Sequence, residues 1–327
     1  MTAFVLRRLL QALLVMFVVG FIAFALFNFV GDPVSLMLPP EATEADRAAM
    51  RAMLGLDQPF YAQFATFLAN AMHGNFGISL RLGRPVADLI LERLPATLEL
   101  SFIATLIGLA AGIPLGVYTA LKPNSWLSRF LLAASLVGVS LPNFLIGIFL
   151  ILIFAVWLGW LPSFGRGDVV HLGWWTTGFL TVSGLKALIL PSITLGFFPL
   201  TIVMRLVRAE MLEVLRTDYV KFARARGLTE RAINFHHALK NTLVPVITIV
   251  GLQLGGIIAF AIITETVFQW PGMGLLFVQA IQFADIPIMA AYLCLVGLIF
   301  VVINLAVDLL YVVVDPRLSV ERPAGAH

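Results

Sequence analysis

The charged residues of this 327-residue chain are few and unevenly placed, so they show where chemistry could occur. Only 12% of the residues are charged, whereas 60% are hydrophobic. The stretch DYVKFARARGLTERAINFHHALKNTLVP, from Asp218 to Pro245, concentrates charge beside aromatic side chains. Such a surface could dock a protein partner. It could equally be a basic loop that contacts lipid headgroups and fixes the direction of the chain in a membrane.

The spacing of glycine and threonine predicts two short helices within this stretch. Gly227 suits the left-handed position that follows a helix, because glycine adopts it without steric cost. Thr229 can cap a second helix, with Glu230 in the first turn complementing the helix dipole. The two helices are therefore expected to meet at the glycine.

Each predicted helix places its apolar residues on one side. These residues are Tyr219, Phe222 and Ala223 in the first helix and Ala232, Phe235 and Leu239 in the second. Lys221 and Arg224 fall on another side of the first helix. We expect one side to pack on the rest of the protein and the other to present charge and aromatic edges.

Other kinds of chemistry lack the residues that they need. A P-loop requires GxxxxGK[ST] to hold phosphates, and no lysine of this chain follows a glycine. His236 and His237 are adjacent and point in different directions on a helix, unlike the i, i+4 spacing of helical zinc ligands. Cys294 is the single cysteine. We predict no bound cofactor, no metal site and no catalytic group, so the chain is not expected to be an enzyme.

Long apolar runs define the class of protein. The mean hydropathy is +0.99, and a membrane-spanning helix needs about 20 apolar residues. Six runs reach this length: Leu9–Val30, Leu98–Leu121, Phe130–Leu158, Leu188–Val207, Leu243–Ile263 and Ile288–Val314. Pro142 is expected to kink the third, and prolines are tolerated in the fourth. The predicted fold is an all-α polytopic membrane protein with six transmembrane helices.

The distribution of Lys and Arg predicts the orientation of these spans. With six spans both termini lie on one side, and that side receives most of the 21 basic residues, including the charged stretch. The positive-inside rule then places both termini in the cytoplasm. Residues 31–94 lie outside and contain two predicted helices. Thr43 caps the first, which ends at Gly55.

The second of these outer helices is amphipathic and ends near Gly74. Its apolar residues recur at helical spacing: Phe60, Phe64, Phe67 and Leu68. We expect this face to lie on the membrane surface or to pack on another helix.

Polar residues near the apolar runs are candidates for function, because ionisable groups in membranes are costly. Glu99 and Glu265 are predicted near span ends, where water reaches them. Asp308 lies inside the last span, one turn after Asn304, and is interpreted as a hydrogen-bonding partner of a neighbouring helix. A proton-coupled carrier would usually carry more such groups at mid-membrane.

Motifs along nearly the whole chain resemble one family. They are DYVKFARARGLTERAINFHHALKNTLVPVIT, the N-terminal RRLL, GDP at Gly31–Pro33, LGLDQP, GNFGIS, RPVADLILERLPATLEL, LPSITLG, TETVFQWPGMG and the terminal VDLLYVVVDPRLS. Each is weak alone, but their order and spacing are specific. The chain is similar to the binding-protein-dependent inner-membrane permeases of bacterial ABC importers, in particular those for dipeptides, oligopeptides and glutathione.

Two departures from the broader importer pattern identify the subgroup. Lys221 and Phe222 stand where Glu and the first Ala of the general Glu-Ala-Ala motif occur, and Pro245 lies five positions beyond the general spacing. Only Ala223 and Gly227 match that motif. The peptide permeases share both departures, so these departures indicate that the chain resembles the peptide subgroup.

The resemblance implies a type I importer fold and a transport role by alternating access. It implies three regions: 1–94, a first span with a periplasmic segment; 95–314, a transmembrane domain; and 315–327, a cytoplasmic tail. Within the second, residues 208–241 form a loop that couples to an ATPase. The residues expected to carry this role are Tyr219, Phe222, Ala223, Arg224, Gly227 and Glu230.

The resemblance also implies partners. These are a second, homologous permease chain, two cytoplasmic ABC ATPase subunits that bind ATP and Mg²⁺, and a periplasmic solute-binding protein that docks on residues 31–94 and 265–287. Membrane lipid surrounds the assembly, and no nucleic acid is involved. QWPGMG is expected to form an outer gate. The residues expected at a gate or as intramembrane polar groups are Glu265, Trp270, Pro271, Gly272, Asn304 and Asp308.

Two other classes remain open from the residues alone. An ion-coupled carrier would need no ATPase and would depend on Glu265 or Asp308. A membrane anchor or receptor subunit would not transport. Within the importer class, nickel or another non-peptide solute is a further alternative, because substrate choice rests largely with the binding protein.

Overall fold

The chain is built almost entirely of helices in a computed structural model that describes residues 2–29, 34, 43–53 and 56–314. The GDP motif at Gly31–Pro33, the predicted helix end at Gly55 and the tail 315–327 lie outside these residues. The helices are α1 (Thr2–Phe29), α2 (Glu44–Met53), α3 (Phe60–Met72), α4 (Val86–Leu121), α5 (Trp126–Ser140), α6 (Asn143–Leu150), α7 (Val182–Val214), α8 (Asp218–Ala225), α9 (Glu230–Ala232), α10 (Leu239–Val267), α11 (Met273–Gln282) and α12 (Ile286–Val314).

Two π-helical segments and one hairpin complete the described elements. Ile151–Trp157 extends α6, and Ile233–Ala238 joins α9 to α10. Strands β1 (Val170–Leu172) and β2 (Trp175–Thr177) pair antiparallel around Gly173, whose φ is +68°. This hairpin was not predicted from the sequence pattern.

The predicted membrane spans correspond to long apolar helices. Five helices pass the length and composition expected of a span: α1, α4, α7, α10 and α12. Helices α5 and α6 give the sixth if they are counted together, and they meet at an angle of 112° around Leu141 and Pro142. The prediction of a helical protein with six spans is confirmed if α5 and α6 count as one span. At Pro142 the structure has a break between two helices instead of the predicted kink.

The second span begins earlier than its hydropathy indicates. Helix α4 starts at Val86, not at the predicted Leu98. Its first turns are amphipathic: Leu89 and Ile90 are buried, whereas Asp88 and Glu92 are exposed. The exposed charges lower the local hydropathy, which therefore marks the apolar part of the helix and not its start.

The chain divides into two compact units, of which the first comprises Met1–Thr97, Val170–Thr177 and Pro271–Val302. In it, α3 packs along α1 through aromatic side chains. The ring centres of Phe24 and Phe60 lie 5.0 Å apart, and those of Phe17 and Phe64 lie 5.5 Å apart. The predicted apolar face of α3 is thus confirmed as a helix-packing face. Large aromatic contacts of this kind stabilise the pair beyond the area that they bury.

Helix α2 in the same unit is held at its start by a reciprocal cap. The Thr43 hydroxyl accepts a hydrogen bond from the Asp46 backbone N–H at 3.2 Å and donates one to the Asp46 carboxylate at 2.6 Å. The Thr43 hydrogen bonds lower the pKa of Asp46 below its ordinary value. The prediction that Thr43 caps this helix is confirmed.

The second unit comprises Leu98–Val169, Gly178–Trp270 and Ile303–His327. Its centre is the contact between α4 and α7, where three glycines one turn apart on α4 allow close approach: Gly108, Gly112 and Gly116. Opposite them on α7 lie Pro199, Val203 and Val207. Small residues at this spacing promote helix packing in membranes, where van der Waals contact replaces the hydrophobic driving force.

We expect Gly116→Ala to destabilise the protein by about 1–3 kcal/mol, the usual cost of overpacking. A Cβ atom at position 116 would lie 2.6 Å from the Val207 Cβ and 2.7 Å from the Met204 carbonyl oxygen. Gly20→Ala is the matched control, because the nearest atom to its Cβ is Leu68 Cδ1 at 3.7 Å. Thermal unfolding of the purified proteins in detergent measures the stability of both variants. Equal stability of the two variants would contradict the close α4–α7 contact.

Candidate functional site

The short helix α8 presents one buried and one exposed face. Val220 is fully buried and Ala223 is 7% exposed, and both pack on Ile233. Tyr219 and Phe222, by contrast, are 41% and 64% exposed. The expectation of one packing face and one aromatic, charged face is met, but the predicted grouping of Tyr219 and Phe222 with Ala223 is wrong, because only Ala223 packs against the protein.

The turn after α8 has the predicted left-handed geometry. Gly227 has a φ of +78°, and its N–H donates to the Arg224 carbonyl oxygen at 2.9 Å. The Leu228 N–H donates to the Ala223 carbonyl oxygen at 3.3 Å, so the last carbonyls of the helix are satisfied. No atom lies within 4 Å of a Cβ placed on Gly227. The glycine is therefore required by backbone conformation and not by packing.

Thr229 begins the next helix as predicted, by accepting a hydrogen bond from the Ala232 N–H at 3.3 Å. The predicted apolar stripe of Ala232, Phe235 and Leu239 is wrong, because Phe235 is 54% exposed. The buried residues are instead Ile233 and Ala238, five positions apart. In a π-helix the hydrogen bonds join residues i and i+5, so each turn holds more residues than an α-helical turn, and the apolar face is rotated relative to the α-helical prediction.

An ion pair closes over the turn. The Arg224 guanidinium donates to both carboxylate oxygens of Glu230, from Nε at 2.7 Å and from Nη2 at 3.2 Å. These hydrogen bonds lower the pKa of Glu230 and raise the pKa of Arg224 from their ordinary values. Because both groups are exposed, water screens their attraction. The pair fixes the geometry of the turn more than it adds stability.

A second contact joins α8 to the start of α10. The Asn241 side-chain amide donates to the Tyr219 hydroxyl at 2.7 Å. The Lys221 ammonium lies 2.8 Å from Asp218, and the Arg226 guanidinium lies 5.8 Å from the centre of the Phe222 ring. Within the segment 208–241, helices α8 and α9 and the turn between them (residues 218–232) thus form a short element that is held by side-chain contacts and has an aromatic and basic surface. We call this element the projection. Such a surface suits docking into a cleft of a protein partner.

We expect the turn at Gly227 to loosen when Glu230 is protonated. A folded-state pKa below the unfolded value contributes stability above the unfolded pKa and loses it as the pH falls through the folded pKa. Hydrogen-exchange protection of the amides of residues 228–232 should therefore fall on acidification. The control Glu230→Gln should show low protection and no such pH dependence. Unchanged protection in that variant would contradict the role of the ion pair.

The second unit also contains a buried ion pair that the sequence analysis did not predict. The Arg166 Nη2 donates to Glu99 Oε2 at 2.6 Å, and the side chains are only 7% and 2% exposed. The Gly178 N–H donates to the same oxygen at 3.4 Å. The Trp270 ring centre lies 5.9 Å from the guanidinium. A charge between two glycines, Gly165 and Gly167, was the available sequence signal for Arg166.

The prediction that water reaches Glu99 and Glu265 is wrong. Glu99 is 3% exposed and Glu265 is fully buried. Glu99 lies well inside α4 because that helix starts at Val86, and the residue Arg166 comes from a distant loop. Burial of a carboxylate in this way requires a partner, since an isolated buried charge is costly.

The other predicted gate residues lie on two parts of the chain: the turn between α10 and α11 and the helix α12. Trp270 is buried, and its backbone N–H donates to the Glu265 backbone carbonyl oxygen at 2.8 Å. Gly272 precedes α11, and Pro271 is half-buried. Asn304 and Asp308 are half-buried on α12, and both interact with other groups.

The first unit has a separate polar contact that was also not predicted. Asp285, buried at the start of α12, accepts hydrogen bonds from the Ser79 hydroxyl at 2.5 Å and from the Arg81 N–H at 3.3 Å. The Arg81 guanidinium lies 3.4 Å from the centre of the Phe283 ring. These contacts fix the loop 77–85. Across the described ranges, no three His, Cys, Asp or Glu side chains come together in a way that could hold a metal ion.

We expect Arg166→Met to destabilise the protein by about 3–5 kcal/mol, because it leaves the Glu99 carboxylate buried without its cation. Arg84→Met is the matched control. Its partner Glu92 lies 3.1 Å away and both side chains are about half exposed, so the loss should be below about 1 kcal/mol. Thermal unfolding in detergent measures both losses. If both variants lost the same stability, the buried pair would be unimportant.

These features define a class of protein, a polytopic helical membrane protein with a braced projection between its fourth and fifth spans. The solved inward-facing MetNI methionine ABC transporter has a chain of the same fold: the TM-score is 0.55 at 20% identity, over 69% of this chain and 96% of that one. The fold is thus that of ABC importer permeases of type I.

Sequence comparison narrows the class to a family. The model of the binding-protein-dependent transport system inner membrane component matches residues 112–320, and the N-terminal model of the same system matches residues 1–101. The chain belongs to this family of ABC importer permeases. The ion-coupled carrier and the non-transporting anchor are therefore not supported.

Full-length relatives show the same family. The chain is 38% identical to the dipeptide transport system permease protein DppB of Alkalihalophilus pseudofirmus, over 98% of this chain and 100% of the relative. It is 37% identical to the oligopeptide permease AppB of Bacillus subtilis, with the same coverage. It is also 37% identical to the glutathione permease GsiC of Shigella flexneri, over 97% of this chain and 99% of the relative.

Proposed function

We propose that this permease carries di- or oligopeptides, or a related solute such as glutathione, across the bacterial inner membrane. Support comes from relatives matched over their full length, whose names specify dipeptide, oligopeptide and glutathione transport. No structural observation favours nickel or another non-peptide solute. Uptake of labelled dipeptides, longer peptides and glutathione by cells with and without the chain tests this substrate class.

The segment 208–241 couples the permease to ATP hydrolysis in this proposal. The observation that carries it is the projection at Gly227, where exposed Tyr219 and Phe222 stand on a base of buried Val220 and Ala223. A docking element must transmit force without deforming, and the Arg224–Glu230 pair and the Tyr219–Asn241 hydrogen bond brace it. Arg224 and Glu230 position the turn, and the aromatic side chains enter the partner cleft.

The remaining partners follow from this role. Two ABC ATPase subunits supply the ATP and Mg²⁺ sites, because this chain has no P-loop sequence. A second, homologous permease completes the translocation path, and a periplasmic solute-binding protein docks on the outer segments 31–94 and 265–287. Membrane lipid covers the apolar surface. Alternating access then results when the ATPases favour one of two arrangements of the spans.

The orientation and regions predicted from the sequence belong to the same proposal. Both termini and the segment 208–241 lie in the cytoplasm, since this placement puts most Lys and Arg residues inside. Residues 1–94 provide the first span and a periplasmic segment, residues 95–314 form the transmembrane domain, and residues 315–327 form a tail.

The outer gate is proposed at residues 265–272. Glu265 and Trp270 are fully or almost fully buried. Pro271 and Gly272 complete the turn before α11. Asn304 and Asp308 on α12 contribute intramembrane polar contacts that differ between the two arrangements.

We expect Gly227→Val to insert and assemble normally but to uncouple ATP hydrolysis from uptake. Valine resists a φ of +78°, and the surrounding space is empty, so the effect arises from the backbone alone. Gly227→Asn is the matched control, because asparagine tolerates the left-handed conformation, and it should retain most of the uptake. Uptake and ATPase activity are measured with the complete complex in proteoliposomes.

Normal coupled uptake by Gly227→Val would overturn the assignment of the coupling segment. Co-purification of the tagged chain from native membrane, followed by mass spectrometry, tests the partners independently. The proposal requires P-loop ATPases and a second permease of similar length. Recovery of the chain alone, under conditions that preserve known complexes, would contradict it.

A further inference from the structure

The break between α5 and α6 borders a cavity inside the second unit. The cavity has a volume of about 260 Å³ and lies among helices α5, α6, α7 and α10. Its lining is mainly apolar and includes Pro142, Asn143, Phe198, Gln253 and Phe260. The cavity therefore lies within the segments that are apolar enough to span the membrane, next to the 112° bend.

Two side-chain amides in this lining have no hydrogen-bond partner in the described part of the chain. Asn143 begins α6 and Gln253 lies in the middle of α10, and both are half-buried. Each amide carries two N–H donors and one carbonyl acceptor. Unsatisfied polar groups are expensive in hydrocarbon, so polar residues in spans face a protein interior or a water-filled path. This lining surface is therefore unsuited to lipid.

The backbone at the break adds to this polar surface. Pro142 has no N–H, and no side chain caps the start of α6. Discontinuous helices in membrane proteins are tolerated where they are buried in protein or line a cavity, and there they provide polar backbone groups for substrates. The break and the two amides thus coincide at one place.

We propose that Asn143 and Gln253 form a subsite of the translocation path that hydrogen-bonds to the peptide backbone of the substrate. This inference rests on the proposed peptide substrate. A primary amide complements a peptide group, because each has both a donor and an acceptor. Among the residues that the structure describes, no charged side chain lines the cavity. The subsite therefore binds the backbone amide groups that all peptides share and does not select peptides by the charge of their side chains.

A cysteine-protection experiment tests the location of the subsite. Cys294 is the single cysteine, so Cys294→Ala provides a cysteine-free background. Asn143→Cys and Gln253→Cys are added singly, and Ile263→Cys, an exposed residue of α10 outside the lining, is the control. The complete complex with its ATPases and binding protein is treated with a water-soluble methanethiosulfonate during ATP turnover, with and without saturating peptide.

We expect positions 143 and 253 to react and saturating peptide to slow the reaction at least threefold, with no peptide effect at 263. A lack of reaction would place the amides against another subunit, and reaction without protection would place them away from the peptide. Either result overturns the subsite while leaving peptide transport intact. If the unmodified complex does not take up peptides, the proposed function itself fails, so the two failures are distinguishable.

The chemistry is tested by removing the hydrogen-bonding groups. Gln253→Leu keeps a similar size but loses donors and acceptor. At saturating peptide-loaded binding protein, we expect uptake to fall about 2- to 10-fold, the range for one or two neutral hydrogen bonds. Gln253→Asn should recover part of the rate, and Ile263→Leu should leave it unchanged. Full uptake by both Gln253→Leu and Asn143→Leu would overturn the role of the amides.

Discussion

The close approach of α4 and α7 is the contact on which the second unit depends. Within a bilayer, neighbouring helices gain no hydrophobic energy by leaving lipid, so their association relies on contact between closely fitting surfaces. Gly108, Gly112 and Gly116 remove the side chains that would separate the two helices. The same α7 then packs on α5, α6 and α10, which makes it the central helix of this unit.

The placement of polar groups follows from the same environment. Glu99 is acceptable inside its unit only because Arg166 reaches it from a loop far away in the sequence. The segment 158–169 is thus tied to the helices of its unit by charge as well as by the Gly165–Phe268 backbone hydrogen bond. Asn143 and Gln253 differ from this pair, since the described residues offer their side chains no partner. The ion pair holds a loop residue against a helix, whereas the two amides are the groups that we propose for contact with the substrate.

Local signals in the sequence predicted local structure well. The long apolar runs, the Thr43 and Thr229 caps and the left-handed Gly227 depend on nearby residues, and all are found in the structure. The start of α4 was missed because exposed charges on one face lower the mean hydropathy of a helix. The solvent exposure of Glu99 was wrong for a related reason, since it was judged from the supposed end of that helix.

Features that depend on distant residues could not be predicted. The Glu99–Arg166 and Ser79–Asp285 contacts join positions far apart in the chain, and no periodic pattern in the sequence predicts them. The π-helical turn at Ile233–Ala238 also escaped prediction, because a 3.6-residue period was assumed throughout. The isolated amides Asn143 and Gln253 were visible as polar interruptions of apolar runs, but only the cavity shows that they face the same space.

The π-helical turn has a mechanical consequence for the chain. Residues 230–267 form one uninterrupted helical rod, so the capped end at Thr229 and the membrane-spanning part of α10 turn together. The turn holds one residue more than an α-helical turn would, and this surplus can migrate along the rod by a shift of hydrogen-bond partners. Each such step changes the direction in which the residues between the old and the new position of the surplus face, whereas the two ends keep their relative orientation. A shift of the π-helical turn therefore re-aims side chains along the rod while its two ends stay in place.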